Sequence, residues 1–305
     1  MKSPVVFFIF NRPKTTELVF AEIAKAKPPN LLVVGDGPRQ ERPGEDALCA
    51  AARKVIERVD WNCEVRTNYA EKNMGCGRRV SSGIDWAFEN VEEAIFLEDD
   101  CLPHPSFFRF CDELLDRYRH DERVMAISGD NFQFGRKRCD YSYYFSRYVH
   151  VWGWASWRRA WKYYDAQMPQ WPMIRNGGWL NNLLADPREV DFWAFTFDQT
   201  QQGKIDTWDY QWVFACWLQS AFCIIPNANL VSNIGFGGGS THTHRKNRAA
   251  EISTEEMVFP LEHPSNMIRD SQADQNTARL FFRRSLRSKA KTLLNIARYV
   301  VRNLT

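Results

Sequence analysis

The sequence predicts an α/β fold, a mainly parallel sheet flanked by helices, and three observations predict it. Apolar runs suited to strands alternate with helical patterns through the first hundred residues. The connections between them are short, and the sharpest turns all follow strands. Parallel pairing needs helical crossovers, and ligands of such sheets bind outside the carboxyl ends of the strands.

The first strand is the apolar run Val5 to Phe10, which stops at Asn11-Arg12-Pro13 and gives way to a helix. The second, Leu31 to Val34, ends at Gly35-Asp36-Gly37-Pro38, a strong turn signal, and Ala47 to Val59 has helical character. A third strand at Glu64 to Thr67 leads into Asn73-Met74-Gly75-Cys76-Gly77 and a helix through Val80, Ile84, Ala87 and Phe88. The fourth, Ala94 to Leu97, stops at three consecutive acids, Glu98, Asp99 and Asp100. The loops at Asn11, Asp36 and Glu98 should therefore converge on one crevice. Beyond the acids, Ser106 to Arg119 carries Phe107, Cys111, Leu114, Leu115 and Tyr118 at the spacing of an amphipathic helix. Residues 124 to 240 are less regular and hold ten of the twelve tryptophans, most of them expected in the core.

The 305 residues suffice for one large domain or a domain with an appendage. The net charge of +3 conceals an asymmetry: residues 279 to 305 contain eight Lys or Arg and no acid, which leaves 32 basic against 37 acidic residues elsewhere. That remainder shows no nucleic-acid-binding face. Eight cysteines without a C-x-x-C pair, and an amino terminus without a signal-peptide pattern, predict reduced thiols in a cytoplasmic compartment. No window approaches the roughly 20 apolar residues of a spanning helix.

With acids at 37 of 305 positions, three in a row is expected by chance in about one of every two such chains. The placement of the triplet gives it weight, because an apolar strand delivers it to a sheet edge and Cys101-Leu102-Pro103 carries the chain away. Carboxylates are hard ligands suited to Mn²⁺ or Mg²⁺, ions that complete their shells with substrate phosphates. An Asp and an Arg at neighbouring strand ends, Asp36 and Arg12, suit a base edge and a diphosphate, since one accepts and the other only donates. Arg78 and Arg79 at a helix start add a possible phosphate contact.

The stretch Phe96-Leu97-Glu98-Asp99-Asp100-Cys101-Leu102-Pro103-His104-Pro105-Ser106-Phe107-Phe108 resembles the strand, acidic triplet and following helix of the GT-A glycosyltransferases. The likeness is to the branch containing N-acetylglucosaminyltransferase I and to bacterial family 2-like glycosyltransferases, as scattered motifs over residues 5 to 240. It implies a GT-A (Rossmann-like) fold and a UDP-sugar donor, with Phe10, Asn11, Arg12, Asp36, Arg79 and the triplet at the donor. Asp36 would accept from the uracil N3–H, Asp100 would hold Mn²⁺ (or Mg²⁺), and Glu98 and Asp99 would reach sugar and ribose hydroxyls. Val151-Trp152-Gly153-Trp154 resembles the family's G-x-G-W stretch beside the donor sugar, which places Trp154, and with it Trp152, at the site.

Inverting transfer needs a carboxylate to take the acceptor's proton. Asp209, in Asp206-Thr207-Trp208-Asp209-Tyr210-Gln211-Trp212, has a setting that resembles the family's W-D-D-W segment ahead of an apolar helix; Asp206 is the rival. Asn233 to His244 is glycine-rich and a candidate lid, with His242 or His244 a candidate metal ligand. Residues 1–123 then read as the nucleotide-sugar half, 124–278 as the acceptor-side half, and 279–305 as a basic amphipathic tail. Such a tail suits an anionic membrane surface, and hence a peripheral position on the inner face and a glycan or lipid-linked acceptor. A sugar nucleotidyltransferase and a non-enzymatic sugar-binding module are the alternatives. The first strand is not followed by the glycine-rich, basic signature that cradles a triphosphate, and a sugar-binding module has no need of the triplet.

Overall fold

The protein is described by a computed structural model covering residues 1–235 and 252–283. Its first hundred residues alternate β1 (Val5–Ile9), α1 (Pro13–Ala26), β2 (Asn30–Gly35), α2 (Glu45–Val55), β3 (Glu64–Tyr69), α3 (Cys76–Asn90) and β4 (Glu93–Glu98). Each expected strand is present within a residue or two of its predicted limits. The middle of the chain supplies β5 (Cys101–Pro103), α4 (Pro105–Tyr118), β6 (Val124–Ser128), β7 (Tyr143–Ser146), β8 (Trp154–Trp157) and the short α5 (Arg158–Trp161). There follow α6 (Trp171–Asn176), α7 (Leu180–Leu183), α8 (Pro187–Gln201), α9 (Asp209–Leu218), β9 (Phe222–Pro226), β10 (Val231–Asn233) and α10 (Ser271–Phe281).

Eight strands form one sheet in the order β3-β2-β1-β4-β8-β6-β9-β7. The first four pair in parallel, with Val5 opposite both Leu31 and Ile95. Residues of β1 are buried throughout, as a strand covered on both faces requires, which is why its sequence is unbroken Val-Val-Phe-Phe-Ile. The second half joins through β8, antiparallel to both β4 and β6, while β9 runs parallel to β6. Two reversals restore direction, so β6 points the same way as β4 and its carboxyl end lies on the same edge. The sheet is thus parallel over its first four strands and mixed beyond them.

Two cores cover the two faces. One packs α3, α8 and α9 with most of the tryptophans; the other packs α1 and α4 with Phe107, Phe108 and Phe110. Trp154 stacks on Phe96 of the neighbouring strand at 4.5 Å between ring centres and on Trp208 at 5.5 Å. Of the ten tryptophans in the second half, eight are buried; Trp152 is half-buried and Trp179 exposed. All eight cysteines are unpaired thiols. Among the described residues no helix is long and apolar enough to cross a membrane. The expected tail helix and His242 fall largely or wholly outside the described residues.

Candidate active site

The carboxyl edge of the sheet gathers most of the expected residues. After β1, Phe10, Asn11 and Arg12 make the turn into α1, which begins on Pro13, where a missing N–H costs nothing. Glu98 closes β4 in register with Phe8, and the chain then bends through Asp99 and Asp100 into β5, which pairs with β10 in a separate two-stranded sheet. The bend is held from β1: the Phe10 amide donates to Asp99 Oδ2 at 3.1 Å. Arg12 Nη1 lies 2.5 Å from Asp100 Oδ2 and 3.6 Å from Asp99 Oδ1. One guanidinium therefore faces three carboxylates. Burial, and then Asp100 beside them, push Glu98 and Asp99 well above the usual carboxylate range. Asp209 contributes to the same shift at Glu98, so its charge reaches the triplet.

Asp209 is the first residue of α9. The Thr207 hydroxyl and the Tyr210 amide both donate to its Oδ1, fixing the carboxylate's orientation. Asp206 does something different. Its two oxygens accept from the amides of Cys76 (3.0 Å) and Gly77 (2.9 Å), so it caps the start of α3 from 130 residues away. The glycines there make room for it, since a Cβ at Gly75 would lie 2.7 Å from Asp206 Oδ2 and one at Gly77 2.8 Å from the Thr207 carbonyl. The two rivals are held differently: Asp206 is committed to a helix end, while Asp209 is held locally by Thr207 and Tyr210. Cys76 lies among Glu98, Asp209, Asp206 and Asp100, and its thiol is pushed up first by burial and then by those charges.

Asp36, just past β2, is buried and accepts from the Gly37 amide (2.8 Å), the Met74 amide (2.9 Å) and Asn73 Nδ2 (2.9 Å). It ties the second and third strand-end loops together. A nucleobase N–H would have to share this carboxylate. Arg79 requires a correction: it is buried, and its donors go to the Gly35 carbonyl (3.2 Å) and to Asn68 O (2.5 Å) and Oδ1 (2.9 Å). It clamps the ends of β2 and β3 behind the crevice, because α3 turns it inward towards the sheet. Trp154 requires another, since at 2% exposure it is a core residue and offers no face to a sugar. Trp152 stays half-buried, edge-on to Phe132 at 5.3 Å.

Several residues at this edge have no signature in the sequence. Glu45 accepts from Asn11 Nδ2 (2.8 Å), the Arg39 amide (2.7 Å) and the Arg39 guanidinium, stapling the first two loops. Only its place in the first turn of α2 hinted at a role. Past β10, Gly235 packs so tightly that a Cβ there would sit 2.2 Å from Asp100 Oδ2, and the Ile234 amide donates to Asp100 O at 2.8 Å. Ile234 and Gly235 are therefore seated on the acid bend. At the end of β6, Asp130 and His150 are buried 3.5 Å apart, and none of their four side-chain polar atoms has a hydrogen bond of ordinary geometry. Burial pushes Asp130 up and His150 down to about 4, disfavouring the charged form of each.

Among the described residues no three His, Cys, Asp or Glu side chains form a ready-made metal cage. The donor set still fits a hard divalent cation. Three carboxyl groups gathered beside one arginine offer hard oxygen ligands, and one or two protein ligands suffice where substrate phosphates supply the rest.

No family profile and no curated protein matches the sequence. Among solved structures, S. aureus TarS 1-349 is similar over 76% of this chain at 11% identity (TM-score 0.44), and this chain spans only 59% of its length. Mouse xyloside xylosyltransferase 1 is similar over 71% of this chain and 81% of its own, at 10% identity (TM-score 0.37). UDP-glucose pyrophosphorylase complexed with UDP-glucose is similar over 48% and 62%, at 14% identity (TM-score 0.28). None of these likenesses is close enough to carry a function over.

Proposed function

We propose that this chain is an inverting glycosyltransferase that moves a hexosyl or N-acetylhexosaminyl group from a UDP-sugar to a hydroxyl of a glycan or lipid-linked acceptor. The observation that carries this reading is the placement of Asp209, at the head of α9, within electrostatic reach of the Glu98-Asp99-Asp100 bend that Arg12 braces. A donor diphosphate meets the bend and Arg12; an acceptor hydroxyl meets Asp209. As the acceptor oxygen bonds to the sugar C1, the C1–O bond to the diphosphate breaks and the hydroxyl proton passes to the Asp209 carboxylate. Thr207 and Tyr210 hold that carboxylate in one orientation, which favours an aligned attack. Mn²⁺ or Mg²⁺ held by Asp100 would supply Lewis-acid stabilisation of the leaving charge. Glu98 and Asp99 would face donor hydroxyls, and Asp36 the base. The basic run 279–305 supports an acceptor borne on an anionic membrane.

The test is Asp209→Asn. Transfer should fall on the order of 10²–10⁴-fold, with UDP and Mn²⁺ binding preserved. An active variant, or a product that retains the donor's anomeric configuration, removes Asp209 from this role.

A further inference from the structure

Beyond the acids, the same sheet edge carries a second feature that the transfer chemistry does not use. A groove of about 420 Å³ opens between the loop after β6 and α10, lined by Phe132, Phe134, Arg136, Asn276, Arg279 and Leu280. Three properties of it point to a ligand.

The first is charge. Among the described residues neither Arg136 nor Arg279 meets a carboxylate; Arg279 has only a 3.4 Å contact to Asn276 Oδ1. Their neighbours behave otherwise. Arg138 is bidentate with Asp270, and Arg147 pairs with Asp274.

The second is backbone conformation. The Arg136 amide donates to the Gln133 carbonyl at 3.2 Å, closing a tight turn whose central residues, Phe134 and Gly135, both have positive φ (53° and 76°). Two positive φ values are the mark of a type I′ turn, which favours Asn, Asp or Gly at both places. Phenylalanine is a poor choice for that position, and its ring is left 41% exposed. Strain of this kind persists where the surroundings over-determine it, and it gathers at binding sites.

The third is rigidity. The buried Gln133 donates to Ala273 O (3.1 Å) and Thr277 Oγ1 (3.2 Å) of α10 and accepts from Asn276 Nδ2 (3.1 Å). The turn is thus bolted to the opposite wall. Phe132 underlies it, packed on Phe281 at 4.9 Å and His150 at 4.6 Å.

Its loop leaves the same sheet edge as the acids. One strand, β8, separates β6 from β4, so at ordinary strand spacing the carboxyl ends from which the two loops start stand about 10 Å apart. That spacing is within the reach of an oligosaccharide.

Resting on the transferase reading above, we propose that this groove binds the acceptor, and that the acceptor is an anionic glycan. One of its sugars bears a carboxylate or phosphate held between Arg136 and Arg279 while its ring lies against Phe134. Guanidinium forks suit either anion, and an exposed aromatic face suits the C–H face of a sugar ring.

Binding to the full chain, without UDP or metal, tests this by calorimetry and by the amide NMR shifts of residues 133–136. The probes are a galacturonic acid trisaccharide and its neutral methyl ester, and mannose 6-phosphate and mannose. The acid or the phosphate should bind about tenfold more tightly than its neutral counterpart, and whichever shows the preference identifies the anion. Arg136→Ala/Arg279→Ala should erase it. Phe134→Asn, which suits the turn better, should raise the melting temperature yet weaken sugar binding, a split that a purely structural role would not give. Equal affinity within both pairs, no binding by any probe, or a preference that survives the double arginine variant overturns the proposal. Donor and metal are absent from these measurements, so a failure of Asp209 as base and a failure of the groove are read separately.

Discussion

Two aspartates three positions apart, Asp206 and Asp209, differ in what donates to them, and on the proposed reading they have separate tasks. Asp206 receives two amides at a helix start, where negative charge also meets the positive end of the helix dipole. Asp206→Ala should therefore lower stability by about 1–2 kcal/mol, measured by urea unfolding, while the folded fraction keeps a measurable rate of transfer. Asp209→Asn should do the reverse. If Asp206→Ala stopped transfer at unchanged stability while Asp209→Asn remained active, the two roles would have to be exchanged. Sequence spacing placed both residues ahead of α9 and left the choice open, because a cap contributed to a helix 130 residues away leaves no local pattern. Arg79 was misread for a related reason: an Arg pair at a helix start looks the same whether α3 turns the second one outward or in towards Gly35 and Asn68.

At the scale of elements, the strand-end loops are held by contacts between helices and turns. The staple from Glu45 in α2 to Asn11 and Arg39 has a measurable signature. Hydrogen bonding from Arg39 is the main cause that lowers the Glu45 carboxyl from its usual 4.5 to about 2, so the folded protein binds this proton less tightly than the unfolded chain. The stabilisation is fully present above about pH 4.5 and is lost as pH falls towards 2. The melting-temperature gap between wild type and Glu45→Gln should be constant from pH 6 to 8 and close on acidification; a gap that widened in acid would contradict the assignment. The strands β1, β2 and β4 were legible because each reads as an apolar run buried along most of its length, whereas β3, at the sheet edge and partly exposed, carries no such run. The staple was not legible, since Asn11 and Glu45 lie 34 residues apart and each alone resembles an ordinary surface polar residue.

Across the whole molecule, aromatic residues bind the halves to each other. Trp154 on β8 stacks on Phe96 of β4 and on Trp208 before α9, with its neighbours wholly buried. Trp154→Ala should cost about 3–5 kcal/mol, read by chemical denaturation as one cooperative transition; a loss under 1 kcal/mol would show that the ring does not bridge the seam. The tryptophan-rich half resisted reading because its strands are three to five residues long, enter the sheet out of chain order and pair in both senses, so periodicity gave no register. Its aromatic content was visible, but its task as core rather than sugar platform became visible only through β8. That inserted strand has a further consequence. The loops that carry Arg12, Asp36 and the acids hang from the parallel block β1 to β4, and the loop that carries Phe134 and Arg136 hangs from β6, with the reversed strand β8 as the joint. On the proposed reading, heritable change can therefore accumulate in the second block, altering which acceptors are modified, while the first keeps its donor.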